Sequence, residues 1–232
     1  MSAVPASGVL ARSAGLYATT IGKKAVMAVT GVVLFGFVIG HMAGNLQFFL
    51  GPEVLNGYAE KLRENMALLW AVRIGLIIAA VLHIASSVSL ARIKNGARPI
   101  GYARRRSVGS TYASRTMYWS GPIVLAFLIY HLLHLTTGTV HPNFHHLRAY
   151  ENLVVGFSHP AVAIAYIVSV ILLGMHLYHG LWSMFQSLGA AHPRYTPKLK
   201  TFAKITSGAI VLGFISVPLA ILMGIRPGQD IL

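Results

Sequence analysis

The stretch AVMAVTGVVLFGFVIGH, residues 25–41, decides the fold class of this chain. It contains no charged residue, and the apolar run continues as far as residue 50. A helix needs about 20 residues to span a bilayer core. Because the apolar residues are continuous rather than alternating, the pattern predicts a transmembrane helix and excludes a β-barrel strand.

Four further runs of this kind lie at residues 67–91, 117–138, 159–188 and 203–225. The composition agrees with them, since 55% of the 232 residues are hydrophobic, only 10% are charged, and the mean hydropathy is +0.65. Soluble domains are less apolar and more charged. We therefore predict an all-α protein, an integral membrane five-helix transmembrane bundle in which residues 1–232 form one domain. The first run is too long for a cleaved signal peptide, so we expect it in the mature protein.

Charged residues divide the connections between these runs into two groups. The N-terminal arm and the loops after the second and fourth runs hold 14 of the 19 Lys and Arg residues: Arg12, Lys23, Lys24, Arg92, Lys94, Arg98, Arg104, Arg105, Arg106, Arg115, Arg194, Lys198, Lys200 and Lys204. The other connections and the C-terminal tail hold every acid: Glu53, Glu60, Glu64, Glu151 and Asp230. The positive-inside rule then places the N-terminus in the cytoplasm. The net charge of +14 indicates topology and a docking surface, and gives no reason to expect nucleic acid.

Each of the first four runs contains a histidine well inside it: His41, His83, His131 and His176. The helix directions and a rise of about 1.5 Å per residue place them as an outer pair, His41 and His131, and an inner pair, His83 and His176, about 10–15 Å apart. An imidazole in hydrocarbon needs a partner, and two imidazoles at one level can bind one haem iron from both faces. The chain has no cysteine, which excludes thioether attachment, thiolate ligands and iron–sulfur clusters held by this chain. We therefore predict two haems of the b type.

Other histidines leave alternatives open. His134 and His179 each follow a predicted ligand by three residues, and spacing alone does not choose within either pair. The outer-loop cluster HPNFHH, with His141, His145 and His146, is interpreted as solvated polar surface rather than a metal or proton-relay site, because no carboxylate or cysteine lies beside it. Small residues next to the predicted ligands would let a porphyrin approach, although ordinary helix packing explains each of them equally well; they include Gly40, Gly44, Ala79, Ser86, Ser87 and Gly180.

Several polar residues are candidates for binding haem carboxylates or a quinone. Lys23, Lys24, Ser114 and Arg115 are expected at the inner membrane surface, and Arg73 near the outer start of the second helix. A carboxylate that leaves water needs cationic or hydrogen-bonding partners. Positive-inside placement explains the inner cations equally well, and Arg73 either snorkels to the surface or contacts the outer haem.

Four segments resemble a known family: GHMAGNLQFFLGPEVLNGYAEKLR at 40–63, LHIASSVSLAR at 82–92, YASRTMYWSGPIVLAFLIYHLLHL at 112–135 and MHLYHGLWSMFQSLG at 175–189. They are similar to the cytochrome b558 membrane anchor of succinate dehydrogenase and fumarate reductase, in its single-chain, five-helix, di-haem form. The resemblance implies that His83 and His176 hold the haem proximal to the soluble subunits and that His41 and His131 hold the distal one. It also implies His131 rather than His134, and His176, four residues before Gly180, rather than His179.

The same resemblance implies a function. It is electron transfer from succinate, through a flavoprotein subunit and an iron–sulfur subunit, to a quinone in a bacterial cytoplasmic membrane, with menaquinone favoured over ubiquinone. The basic loop at 92–116 would face the iron–sulfur subunit. One departure is Gly174, where a fumarate reductase of the family has a glutamate for a proton path. The chain itself shows no catalytic constellation. The alternatives are a di-haem anchor of a hydrogenase or formate dehydrogenase and, less favoured, a haem-free small transporter.

Overall fold

All regular structure in the described part of the chain is helical, and the five expected spans are present. A computed structural model describes residue 15, residues 17–97 and residues 112–228, apart from the side chains of Ala113 and Ser114. The helices are α1 (Thr20–Leu46, extended by a 3₁₀ turn over Gln47–Leu50), α2 (Pro52–Glu64), α3 (Met66–Gly96), α4 (Tyr112–Leu135), α5 (Ala149–Phe157), α6 (Pro160–Ser187) and α7 (Thr196–Leu222). Five of them, α1, α3, α4, α6 and α7, are long and apolar enough to cross a membrane. The chain is therefore a multi-pass membrane protein with an all-α fold.

Helix ends differ from the predicted ones where polar residues continue a helix. Helix α7 begins at Thr196 rather than at residue 203, with Pro197 in its first turn. Proline suits the first helical turn, where its missing N–H is not needed. The segment also carries Lys198, Lys200 and Lys204. These charges lower its hydropathy, so the apolar run predicts only the remainder of the helix. Helix α4 likewise begins at Tyr112 rather than at residue 117.

Two short helices were not predicted, although α2 carries clear signals. Gly51 has a φ of 95°, Pro52 and Glu53 lie in the first turn of α2, and Lys61 and Arg63 lie in its last turn. These are the residues expected at helix ends. Helix α2 is short and largely polar, so it contains no apolar run that would predict a membrane span.

Helix α1 is at the centre of the bundle. It packs against α3, α6 and α7, while α6 also packs against α7 and α4. Among the described residues, neither α1 with α4 nor α3 with α6 forms an extensive backbone contact. These two pairs of helices are the ones that carry the outer and inner histidine pairs, so space between the backbones lies where the site is expected.

The densest core lies at one end of the bundle, where α2, α5 and residues 223–228 form what we call the cap. The buried residues of this core come from the cap and from the helices beside it, and include Phe48, Leu55, Tyr150, Leu153, Phe157, Tyr166, Val217 and Ile221. The ring of Tyr150 stacks on Phe48 at 4.9 Å, and its hydroxyl donates to the carbonyl of Pro227 at 2.8 Å. The described acids, on α2 and α5, lie at this end, as the charge pattern predicts. Arg12, Arg98, Arg104, Arg105, Arg106 and Asp230 lie outside the described residues.

Asn56 joins the two short helices of the cap. The backbone N–H of Tyr150 donates to Asn56 Oδ1 at 3.0 Å, and Asn56 Nδ2 donates to Glu151 Oε2 at 2.9 Å. We expect Asn56→Ala to cost about 1–3 kcal/mol of local stability, because two hydrogen bonds are lost. Hydrogen exchange of the α5 amides measures the loss. Glu60→Gln, at an exposed site on α2, is the matched control, and equal protection of α5 in both variants would contradict the assignment.

Glu151 makes the stability of the cap depend on pH. Burial alone raises the pKa of its carboxyl, but hydrogen bonds from Asn56, from its own backbone and from Arg148, together with the Arg148 charge, outweigh burial and hold the pKa below its ordinary value. The ionised form therefore stabilises the fold, and that contribution is lost as pH falls through the folded pKa. We expect the difference in melting temperature between the wild type and Glu151→Gln to shrink on acidification. A difference that stays constant from neutral to acidic pH would argue against this role.

Candidate functional site

The outer histidine pair joins α1 and α4. The rings of His41 and His131 lie 5.7 Å apart between centroids, at an interplanar angle of 81°. The ring of Phe37 stacks on His41 with 5.3 Å between ring centroids. The ring of Tyr166, on α6, lies edge-on to His131 with 5.9 Å between centroids. The Nδ1 atom of His131 is buried and has no hydrogen-bond partner among the described residues.

The inner pair joins α3 and α6. The rings of His83 and His176 lie 6.3 Å apart between centroids, at 60°. His83 Nδ1 is 3.0 Å from the carbonyl oxygen of Met27 on α1. Since a carbonyl only accepts, Nδ1 carries the proton and Nε2 is left with its lone pair. His176 Nδ1 is buried and, within the described part of the chain, has no hydrogen-bond partner.

The two pairs lie at separate levels along the bundle. A Cβ atom built on Gly31 would be 3.4 Å from His83 Cε1, so Gly31 marks the level of the inner pair on α1. His41 follows ten residues later on the same helix, which corresponds to a rise of about 15 Å. The sequence predicted this sorting, and the structure brings the expected partners together in both pairs.

The spacing within each pair suits a shared metal ion. Two imidazoles that bind one metal from opposite sides, each through a bond of about 2 Å, place their ring centroids about 6 Å apart. The separations of 5.7 Å and 6.3 Å bracket that value. A buried imidazole normally shares both nitrogens with partners. The chemistry of the four side chains therefore fits two prosthetic groups with bis-histidine ligation.

His134 and His179, the second-choice ligands, are placed differently from the two pairs. His134 is buried, its Nδ1 lies 3.0 Å from the hydroxyl of Tyr166, and its ring stacks on Tyr130 at 5.4 Å. These contacts explain His134 as a packed hydrogen-bonding side chain. His179 is half-buried, and no hydrogen bond or ring contact joins it to another described residue.

One part of the outer-loop interpretation is wrong. His141 is buried rather than solvated, with 8% of its surface exposed. Its Nε2 donates to the carbonyl of Asn152 at 2.9 Å, and its Nδ1 accepts from the backbone N–H of Asn143 at 3.1 Å. His141 thus fastens the loop to α5, while His145 and His146 are exposed as predicted. No group of three or more potential metal ligands occurs within residues 17–97 and 112–228.

The candidate cations lie away from both pairs. Lys24 and Arg115 are exposed, and the side chain of Ser114 is outside the described set. Arg73 is half-buried and lies over the Trp70 ring at 5.2 Å from its centroid. Lys23 donates to the carbonyl of Ala18 at 3.1 Å. None of these cations has a described contact with a paired histidine, so their predicted roles with haem or quinone remain predictions.

Glycines near the site divide into two kinds. A Cβ on Gly44 would meet Tyr58 at 2.9 Å, so Gly44 serves helix packing. A Cβ atom on Gly40 or on Gly180 would meet nothing within 4 Å, so packing against the described residues does not require glycine at either position. Gly31, which lies against His83 from α1, is a site residue that the sequence does not reveal. It is distant from His83 in the chain, so no local pattern indicates the contact.

No family model, no curated protein and no solved structure matches the chain. The function proposed below therefore rests on the two histidine pairs and the sequence resemblance.

Proposed function

We propose that the chain is the membrane-anchor cytochrome b subunit of a succinate:quinone oxidoreductase in a bacterial cytoplasmic membrane. The observation that supports this best is the pairing of four imidazoles, at two levels, between helices that make no extensive backbone contact in the described part of the chain. His83 and His176 would hold the proximal haem b, and His41 and His131 the distal one. Electrons from the iron–sulfur subunit would pass through both to a quinone, with menaquinone favoured by the resemblance.

The chain's own contribution is to hold and insulate two redox centres. A b haem bound by two imidazoles supplies reversible one-electron transfer. With two histidines as ligands to each iron, a bound haem would serve electron transfer rather than the binding of oxygen. Apolar helices around the pairs exclude water, and a low dielectric together with hydrogen bonding to the ligands tunes such a centre.

Charge distribution supports docking of the iron–sulfur and flavoprotein subunits at the end opposite the cap. Lys24, Arg92 and Arg115 are exposed there, and the one ion pair in the described residues, Arg148 with Glu151, lies at the cap. The inner end therefore presents positive charge without internal compensation, which suits an acidic partner surface. Lys24, Ser114 and Arg115 are also the proposed partners of haem carboxylates at this end, and Arg73 at the other.

Packing at Gly174 bears on the direction of turnover. A Cβ atom on Gly174 would collide with the side chain of Val211 on α7. A carboxylate side chain has no room at this position, so a transmembrane proton path through it is absent from the proposal. This favours succinate oxidation over the fumarate reductase that uses such a glutamate.

The deciding experiment is optical and chemical analysis of the purified complex. We expect a reduced α-band of haem b and two haems per chain by the pyridine haemochrome assay. Succinate should reduce both in the complex, whereas hydrogen or formate should reduce neither. Reduction by hydrogen or formate would show instead that the chain is the di-haem anchor of a hydrogenase or a formate dehydrogenase. An absence of haem would overturn the proposal.

We expect His176→Ala to remove one of the two haems, because one axial ligand of the inner pair is lost. His179→Ala, on the same helix three residues away, should keep both. Haem content per chain measures the result. Two normal haems in His176→Ala, with loss in His179→Ala, would show that the ligand is the other histidine of the HLYH segment.

We expect His131→Ala to remove the outer haem and His134→Gln to keep both. Glutamine can still accept a hydrogen bond from Tyr166, so the buried site of His134 stays satisfied. The haem assay and the spectrum report the outcome, and a melting temperature controls for misfolding. Loss of a haem from a folded His134→Gln protein would make His134 a ligand.

A further inference from the structure

His83 has a hydrogen bond to the main chain that His176, the other histidine of the inner pair, lacks among the described residues. Its Nδ1 lies 3.0 Å from the carbonyl of Met27, whereas His176 Nδ1 and His131 Nδ1 are without a hydrogen-bond partner among the described residues. In the outer pair, Asn45 Nδ2 lies 3.4 Å from both ring nitrogens of His41. Because Asn45 Nδ2 is a donor, the His41 ring can only accept from it. Among the described contacts of the four paired histidines, only His83 donates to a main-chain carbonyl.

Three residues within about one turn of α1 make up this support, and we call Met27, Thr30 and Gly31 the His83 seat. Thr30 is buried, donates to the carbonyl of Val26 at 2.7 Å, and places its Oγ1 3.4 Å from His83 Nδ1. At Gly31, a Cβ atom would be 3.4 Å from His83 Cε1 and 3.7 Å from Nδ1. The ring therefore lies directly against α1: a Cβ atom at residue 31 would reach the limit of ordinary van der Waals contact with it, and a β-branched side chain there would crowd it.

We propose that the seat is a positioning device that sets the tautomer and the ligand strength of His83, and that it acts on the inner haem alone. The inference rests on the proposed function. A hydrogen bond from Nδ1–H to a carbonyl fixes Nε2 as the ligating nitrogen and makes it more basic. A more basic ligand stabilises the oxidised iron, so the seat lowers the reduction potential of the inner haem relative to the same haem without it.

The matched pair of variants lies on α1 itself. Gly36 is on the same helix, five residues later, and a Cβ there meets nothing within 4 Å. Gly31→Ala and Gly36→Ala therefore impose the same change in helix propensity, and only Gly31→Ala presses on the His83 ring. Gly31→Val and Gly36→Val extend the comparison to a side chain that does not fit beside the ring.

The experiment is a spectroelectrochemical titration of the assembled complex with a haem assay. In Gly31→Ala we expect two haems, with one of the two titration steps moved to higher potential and the other unchanged. In Gly31→Val we expect the loss of one haem of two. Both Gly36 variants should match the wild type. Two haems with wild-type potentials in Gly31→Val would overturn the inference, and so would equal movement of both steps, which a purely structural defect produces.

A second readout separates this inference from the proposed function. Nitrogen-15 NMR of histidine-labelled, reduced protein distinguishes a protonated Nδ1 from a protonated Nε2, and His83→Gln assigns the signal. We expect an Nδ1-protonated His83 in the wild type and a changed signal in Gly31→Val. Wild-type protein without haem would sink the proposed function, whereas haem-bound protein whose His83 is protonated at Nε2 would sink only the role of the seat.

Discussion

An imidazole inside a hydrocarbon layer must share its polar nitrogens with a partner, and the rest of this structure is arranged around that requirement. Four histidines enter the apolar interior from four different helices and meet in two pairs. Among the described residues, the helices that supply each pair make no extensive backbone contact with each other, and the histidine side chains meet between them. Within the described part of the chain, the Nδ1 atoms of His131 and His176 are buried without a hydrogen-bond partner, so these two rings are held by ring contacts alone.

The bundle is held together away from these pairs. The cap buries aromatic rings against α6 and α7, and close helix packing occurs where glycines allow it, as at Gly174 beside Val211 and at Gly213 beside Met42. Tight packing at one end and along α6 and α7 permits a wider separation at the histidine levels. Tight packing therefore occurs in the cap and between neighbouring helices such as α6 and α7. A planar group bound between the histidines would add contacts between helices that make few contacts of their own.

Polarity along the bundle axis follows the same division. Acids and their hydrogen bonds belong to the cap, where Glu151 is satisfied by Asn56 and Arg148. At the other end, lysines lie over aromatic rings instead of beside carboxylates, as Lys94 does over Tyr118 and Lys200 over Trp182. A cation over a ring keeps most of its charge available to a partner surface. The proposed electron donor would therefore approach the end nearest the inner pair.

The amino-acid sequence by itself determined the five spans, the separation of charges and the four helices that carry histidine inside an apolar run, because hydrophobic length, loop charge and helical rise are local properties. It did not reveal α2 and α5, whose short polar helices lack an apolar run, or the burial of His141, which depends on Asn152 from α5. Only the tertiary structure decided which histidine of each i, i+3 pair meets a second histidine from another helix, since residues three apart share nearly the same face. The same holds for the contact of Met27 and Gly31 with His83, which packing of α1 against α3 creates between residues far apart in the chain.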